Sequence, residues 1–214
     1  MKLKSLAMAV CAASCVIAQT ASAGWIDWSN TTTGTMTIGS STVGVTLTGS
    51  PMDLVNGDGY YNNANTGGTS VTGTYMGLAP SDVIRVNAPS TFTLNFDQTV
   101  TDLYMALVSV GQPNYSVSYN FSDAFSVQSS GGNIWWAAPG SYSVSGNTFT
   151  GNEYNGILHF SGSFDSISFN TNPNEFWHGF NFASYQTAQV SEPASLALLG
   201  LGLFGLAAVR RCKA

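Results

Sequence analysis

Phe92-Thr93-Leu94-Asn95-Phe96, followed six residues later by Leu103-Tyr104-Met105-Ala106-Leu107-Val108-Ser109-Val110, decides the fold class. In the first run apolar and polar side chains alternate, the period of a strand with one face on a core and one toward water. The second run does not alternate and is apolar almost throughout, which predicts a central strand buried on both faces. Tyr115, Val117 and Tyr119 alternate again. Working outward, runs rich in Thr, Val, Tyr and Phe at 31–38, 43–48, 71–75, 83–86, 115–121, 125–128, 142–144, 148–150, 157–160, 166–169 and 176–182 are separated by Gly, Asn, Ser and Pro clusters. Few windows suit a helix. This pattern predicts an all-β domain, an antiparallel β-sandwich or jelly roll.

Of the 214 residues, 44% are hydrophobic and only 8% charged. Soluble domains usually carry about 25% charged residues, so an ordinary cytosolic enzyme is disfavoured. The Tyr, Phe and Trp content excludes a disordered chain. Thr, Ser, Asn and Gly supply the polarity that charge normally supplies, as in exported β-proteins.

Both ends read as targeting segments. Lys2 and Lys4 precede an apolar run and then Ala21-Ser22-Ala23 before Gly24, the three parts of a secretory signal peptide over 1–23. Cleavage is expected between Ala23 and Gly24. Residues 194–209 carry no charge and are followed by Arg210, Arg211 and Lys213. As a helix they would span roughly 24 Å, against a hydrocarbon core of about 30 Å. Flanking arginines that snorkel absorb the difference, and the basic end stays cytoplasmic. The expected organisation is a signal peptide, a secreted β-sandwich domain at 24–189, and a sorting segment at 190–214 with a transmembrane helix at 194–209.

Val190-Ser191-Glu192-Pro193, the Gly- and Leu-rich span and Arg210-Arg211 together resemble the tripartite PEP-CTERM sorting signal of exported bacterial proteins. In that family a Pro-Glu-Pro motif precedes the apolar helix; here Ser191 stands in place of the first Pro. The resemblance implies an inner-membrane precursor in a Gram-negative bacterium, processing by an exosortase, and delivery to the outer surface or exopolysaccharide matrix. Tails of this kind also carry the label ice-binding protein C-terminal domain, but nothing in this one could read an ice lattice. Thr31, Thr33, Thr35 and Thr37 form a single row, which ordinary β-propensity explains. The stretch from Gly151 to Gly156, with Ile157-Leu158-His159-Phe160 and Glu175-Phe176-Trp177-His178-Gly179-Phe180, resembles the closing strands of the β-domain in many exported PEP-CTERM proteins. That likeness implies a fold and no activity.

Between residues 24 and 190 one base, Arg85, faces ten acids, and there is no cysteine. Such a surface repels phosphate and excludes nucleic acid as a partner. Stability must come from packing and sheet hydrogen bonds alone.

Three groups could carry chemistry. Glu153, His159, Glu175 and His178 could combine carboxylate and imidazole for acid–base work. The plainer reading makes His159 a solvent or turn residue and His178 a hydrogen-bonding loop residue, and no G-x-S-x-G, H-E-x-x-H or P-loop motif is present. Asp53, Asn56 and Asp58 lie in a Gly-rich loop and offer oxygen ligands to calcium, or simply Asx-turns. Trp135, Trp136 and Tyr142 could stack on sugar rings, although core packing suits the tryptophan pair better. The resulting expectation is a non-enzymatic envelope or exopolysaccharide-matrix protein, structural, adhesive or weakly carbohydrate-binding, with no cofactor required. Its partners would be exosortase, the inner membrane and exopolysaccharide. The alternative is a polysaccharide-acting hydrolase or lyase using Glu153 and Glu175, which requires both carboxyls in one cleft.

Overall fold

A computed structural model describes residues 23–61, 75, 81–131 and 140–185. All fall within one compact unit, residues 21–186. Their elements are β1 (Ala23–Trp28), β2 (Thr33–Ile38), β3 (Ser41–Thr48), β4 (Asp53–Asn56), the single helical turn α1 (Asp58–Tyr61), β5 (Asp82–Val86), β6 (Ser90–Val110), β7 (Val117–Phe121), β8 (Ser126–Gly131), β9 (Ser141–Ser145), β10 (Thr148–Asn152), β11 (Tyr154–Asn172) and β12 (His178–Tyr185). The protein is all-β and antiparallel, as the alternation in the sequence predicts.

Two long strands organise the sheet. β6 and β11 pair along nearly their whole length, from Thr171 opposite Ser90 to Tyr154 opposite Val110. Midway they change neighbours. The first half of β6 pairs with β3 and its second half with β12, while the first half of β11 pairs with β8 and its second half with β7. β1 does the same, joining β12 through Trp25 and β2 through Ile26. Strands that pass from one layer to the other make the corners of a sandwich. Contacts across the core confirm two facing layers: Phe169 of β11 lies 5.2 Å from Phe180 of β12, edge to face, and Phe92 of β6 lies 5.7 Å from the same ring.

The bend has visible causes. Register shifts interrupt the β6–β11 ladder between Phe160 and Ser163 and between Phe164 and Ser166. Asp102 adopts φ 51° and Gly162 φ 128°, and the Gly162 amide donates to the Asp102 carboxylate at 3.3 Å. Bulges of this kind turn a strand through a corner. They also explain a correction. The polar run Asp97-Gln98-Thr99 reads as a break between two strands, but it is the exposed outside of the corner within one strand. The candidates at 157–160 and 166–169 merge into β11 in the same way.

The second half of β6 is flanked by β12 and β11, and Leu103, Met105, Ala106, Leu107, Val108 and Val110 are all wholly buried. This is the doubly covered central strand that the unbroken apolar run predicts. β2 buries Gly34, Met36 and Ile38 and exposes Thr33, Thr35 and Thr37, so its threonines are the solvent face of an amphipathic strand. β1 and β4 are strands that the sequence pattern does not announce. The strand expected at 71–75 lies outside the described residues except for Tyr75, which sits in a turn and packs edge to face on Tyr61.

Candidate functional site

At one end of the β6–β11 pair the ladder is irregular again. Tyr154 faces Val110 but Gly156 faces Leu107, so β6 carries an extra residue there. Ser109 at this bulge has φ 54° and Glu153, just before β11, has φ 53°. Left-handed backbone at residues other than glycine costs about 1–3 kcal/mol each and gathers at functional sites. Asn155 fixes the irregularity: its side-chain oxygen accepts the Ser109 amide at 2.9 Å, and its side-chain nitrogen donates to the Glu153 carbonyl at 3.2 Å.

The bulge opens into a cavity of about 370 Å³ lined by Ser109, Gln112, Pro113, Glu153, Glu175, Phe176 and Trp177. Glu175 enters from the segment before β12, and one of its oxygens accepts the Gly111 amide at 2.9 Å. Its other oxygen, and one oxygen of Glu153, are buried without a hydrogen-bond partner. Burial pushes the Glu175 pKa up to about 8; the Gly111 amide opposes this rise and the nearby Glu153 charge adds to it. Burial raises Glu153 as well. Trp177 forms an aromatic wall, packed edge to face on Tyr60 at 5.1 Å and backed by the Arg85 guanidinium 5.6 Å from its ring. Phe176 beside it is 80% exposed.

His178 starts β12 and is buried. Burial lowers its pKa to about 3, so it is neutral. Its Nδ1 shares a short hydrogen bond with the hydroxyl of Tyr119, whose pKa burial lifts far above its usual range, and its Nε2 is buried without a hydrogen-bond partner. His178 is thus the hydrogen-bonding residue expected, though in a strand rather than a loop. His159 stands apart. It stacks on Tyr104 at 4.4 Å and lies 3.7 Å from Asp102 at the corner, about 20 Å along β11 from Glu153 at 3.3 Å per residue. The four-residue constellation therefore separates: Glu153 and Glu175 share a cavity, His178 lies beneath the same end of the sheet, and His159 belongs to the bend.

The other candidates are placed as follows. Asp53 is in β4, not in a loop, and both its oxygens are taken by Arg85, with the shorter contact at 2.5 Å. Asn56 pairs with Asp82 in the β4–β5 ladder, and the backbone of Asp58 opens α1. Among the described residues no group of three or more His, Cys, Asp or Glu could hold a metal ion. Tyr142 on β9 is 45% exposed, with one ring face stacked on Phe149 at 5.8 Å. Trp135, Trp136, Ala21, Val190, Ser191, Glu192, Pro193, Arg210 and Arg211 lie outside the described residues. Ala23 and Gly24 begin β1, opposite Tyr185 and Ser184. No helix among the described residues is long and apolar enough to cross a membrane, and residues 194–209 lie outside them.

Sequence reasoning missed Ser109, Gly111, Gln112 and Asn155. The usable signal was a Gly-Gln-Pro turn directly after the most buried strand, facing an Asn-Gly pair that interrupts the next apolar run.

The family model of the PEP-CTERM protein-sorting motif matches residues 189–211. No curated protein and no solved structure matches the chain.

Proposed function

We propose that this chain, which carries a PEP-CTERM sorting motif, is a structural or adhesive component of the outer surface or exopolysaccharide matrix. The motif marks an exported precursor that passes through the membrane and is processed by exosortase. On this reading the β-sandwich is the cargo, and its cavity makes weak contact with saccharide. The observation that supports it is the cavity's lining. Trp177 and the exposed Phe176 bring aromatic rings to the lining, and Gln112, Ser109, Glu153 and Glu175 bring polar side chains, the combination that recognises a sugar ring and its hydroxyls. Tyr142 is exposed on β9, close in chain to Gly140, whose backbone abuts the Glu153 carbonyl. The test is affinity electrophoresis through gels containing the native exopolysaccharide. Retardation lost in Trp177→Ala supports the reading; equal mobility with and without polymer rejects it.

A second reading has one observation in its favour. Both carboxyls line the same cavity, and Glu175, with its pKa near 8, is a protonated acid at neutral pH. That suits a glycan hydrolase or lyase using Glu153 and Glu175. Release of reducing ends or unsaturated products from the native polymer, abolished in Glu175→Gln, would favour it over simple binding.

A further inference from the structure

Three exposed aromatic residues meet at the end of the sandwich that carries the cavity. Among the described residues the large hydrophobic side chains left exposed are Met52, Tyr115, Tyr142, Val144 and Phe176. The three aromatic ones all belong to segments that converge on Gly111. Phe176 follows Glu175, whose carboxyl accepts the Gly111 amide at 2.9 Å. Tyr115 closes the turn after β6, and its carbonyl oxygen lies 2.9 Å from the point that a Cβ on Gly111 would occupy. Tyr142 stands opposite Gly151 in the β9–β10 ladder, and the Gly151 carbonyl oxygen lies 2.5 Å from that same point. Single exposed apolar side chains are ordinary, but aromatic ones gathered beside a cavity mark a binding surface.

The backbone under each ring is fixed. Glu175 and Trp177, on either side of Phe176, are both buried, so the chain is anchored before and after the exposed ring. Tyr115 exchanges two backbone hydrogen bonds with Gln112, at 2.7 and 2.9 Å. Tyr142 rests one ring face on Phe149. Rigid aromatic side chains lose little entropy when a ligand stacks on them. Charge narrows the ligand further. The cavity lining holds two acids and no base, and Arg85, the single base between residues 24 and 190, is bound to Asp53. A carboxylate, sulfate or phosphate group on the ligand would meet repulsion that no cation offsets.

We propose, on the premise that this end of the protein binds saccharide, that the ligand is a chain of uncharged sugars, with Phe176, Tyr115 and Tyr142 as stacking platforms at and beside the cavity. Aromatic faces accept the C–H face of a sugar without an ion pair, and three of them serve a polymer better than a single ring.

The test uses the full-length chain in non-ionic detergent. Native exopolysaccharide is separated on an anion exchanger into an uncharged and an acidic fraction, and each is cast into native gels. The expected result is retardation by the uncharged fraction and much less by the acidic one. Phe176→Ala and Tyr115→Ala should each weaken that retardation about two- to tenfold, while Tyr115→Phe, which keeps the ring, should retain it. Unchanged unfolding midpoints in urea show that the variants are folded. Retardation by the acidic fraction equal to or greater than that by the uncharged one overturns the inference and leaves saccharide binding standing. Full retardation of the Phe176→Ala, Tyr115→Ala double variant by the uncharged fraction overturns it as well. Retardation by neither fraction rejects the inference together with the saccharide reading on which it rests.

Discussion

Glu175 accepts the amide of Gly111, the residue after β6, while Glu153 lines the same cavity from the position just before β11. Neither carboxylate has a base beside it in that lining; burial raises the pKa of both, and the Glu153 charge adds to the rise at Glu175. The arrangement ties the acid–base behaviour of the whole domain to one end of the sandwich.

Stability should therefore depend on pH in a way set chiefly by two groups of opposite sign. His178 falls from 6.5 to about 3 and Glu175 rises from 4.5 to about 8. Between about pH 4.5 and 6.5 the unfolded chain holds a proton on the histidine and the folded chain holds one on Glu175, so these two effects cancel, and the raised Glu153 pKa adds a fall in stability as pH rises above 4.5. Below 4.5 His178 makes stability fall as the solution becomes more acidic, and Asp53, whose pKa Arg85 lowers, adds to that fall below about 3.8. Above 6.5 Glu175 makes stability fall as pH rises toward 8. Each of the His178 and Glu175 limbs has a slope of up to about 1.4 kcal/mol per pH unit for one proton. Urea titrations should show a maximum at mildly acidic pH, with the acid limb reduced in His178→Gln and the alkaline limb reduced in Glu175→Gln. A maximum at neutral pH or above would contradict this.

Gly111 supports Glu175 through its backbone amide. Its φ is 81°, and a Cβ there would lie 2.5 Å from the Gly151 carbonyl oxygen. Gly111→Ala should cost about 2–4 kcal/mol from strain and collision. It should also shift the amide that supports Glu175. Chemical denaturation measures the first effect, and an altered alkaline limb measures the second.

Asn181 in β12 joins three strands. Its side-chain nitrogen donates to the carbonyls of Ile26 and Asp82, each at 3.0 Å, and its oxygen accepts from Trp28 Nε1 at 3.1 Å and from the Phe182 amide at 2.7 Å. Replacing it by Leu leaves four buried groups unmatched, so Asn181→Leu should destabilise the domain by about 3 kcal/mol or more. A loss below about 1 kcal/mol, the worth of one hydrogen bond, would show that the network does not hold β1 in place.

The layers of this fold were legible because Phe92 to Phe96 alternate and Leu103 to Val110 do not, and burial follows both patterns. Corners were not legible. Asp97, Gln98 and Asp102 have the composition of a turn, and composition alone does not tell a turn between strands from a bend within one. Glu153 and Glu175 could be named as a pair, but their meeting depends on the bulge at Ser109, a register feature that no local pattern encodes. Asp53 looked like a calcium ligand because its neighbours are loop-formers; its partner Arg85 is distant in sequence and adjacent only across the β4–β5 ladder.

If the sandwich is exported and its sorting tail removed, the mature protein is shorter than the chain at both ends. Intact mass and terminal sequencing of the protein recovered from the medium or the outer surface test this directly. The expected species begins at Gly24 and lacks the residues beyond about 190, the span that contains the sorting motif. Recovery of the chain only from the cytosol, with both ends intact, would contradict it.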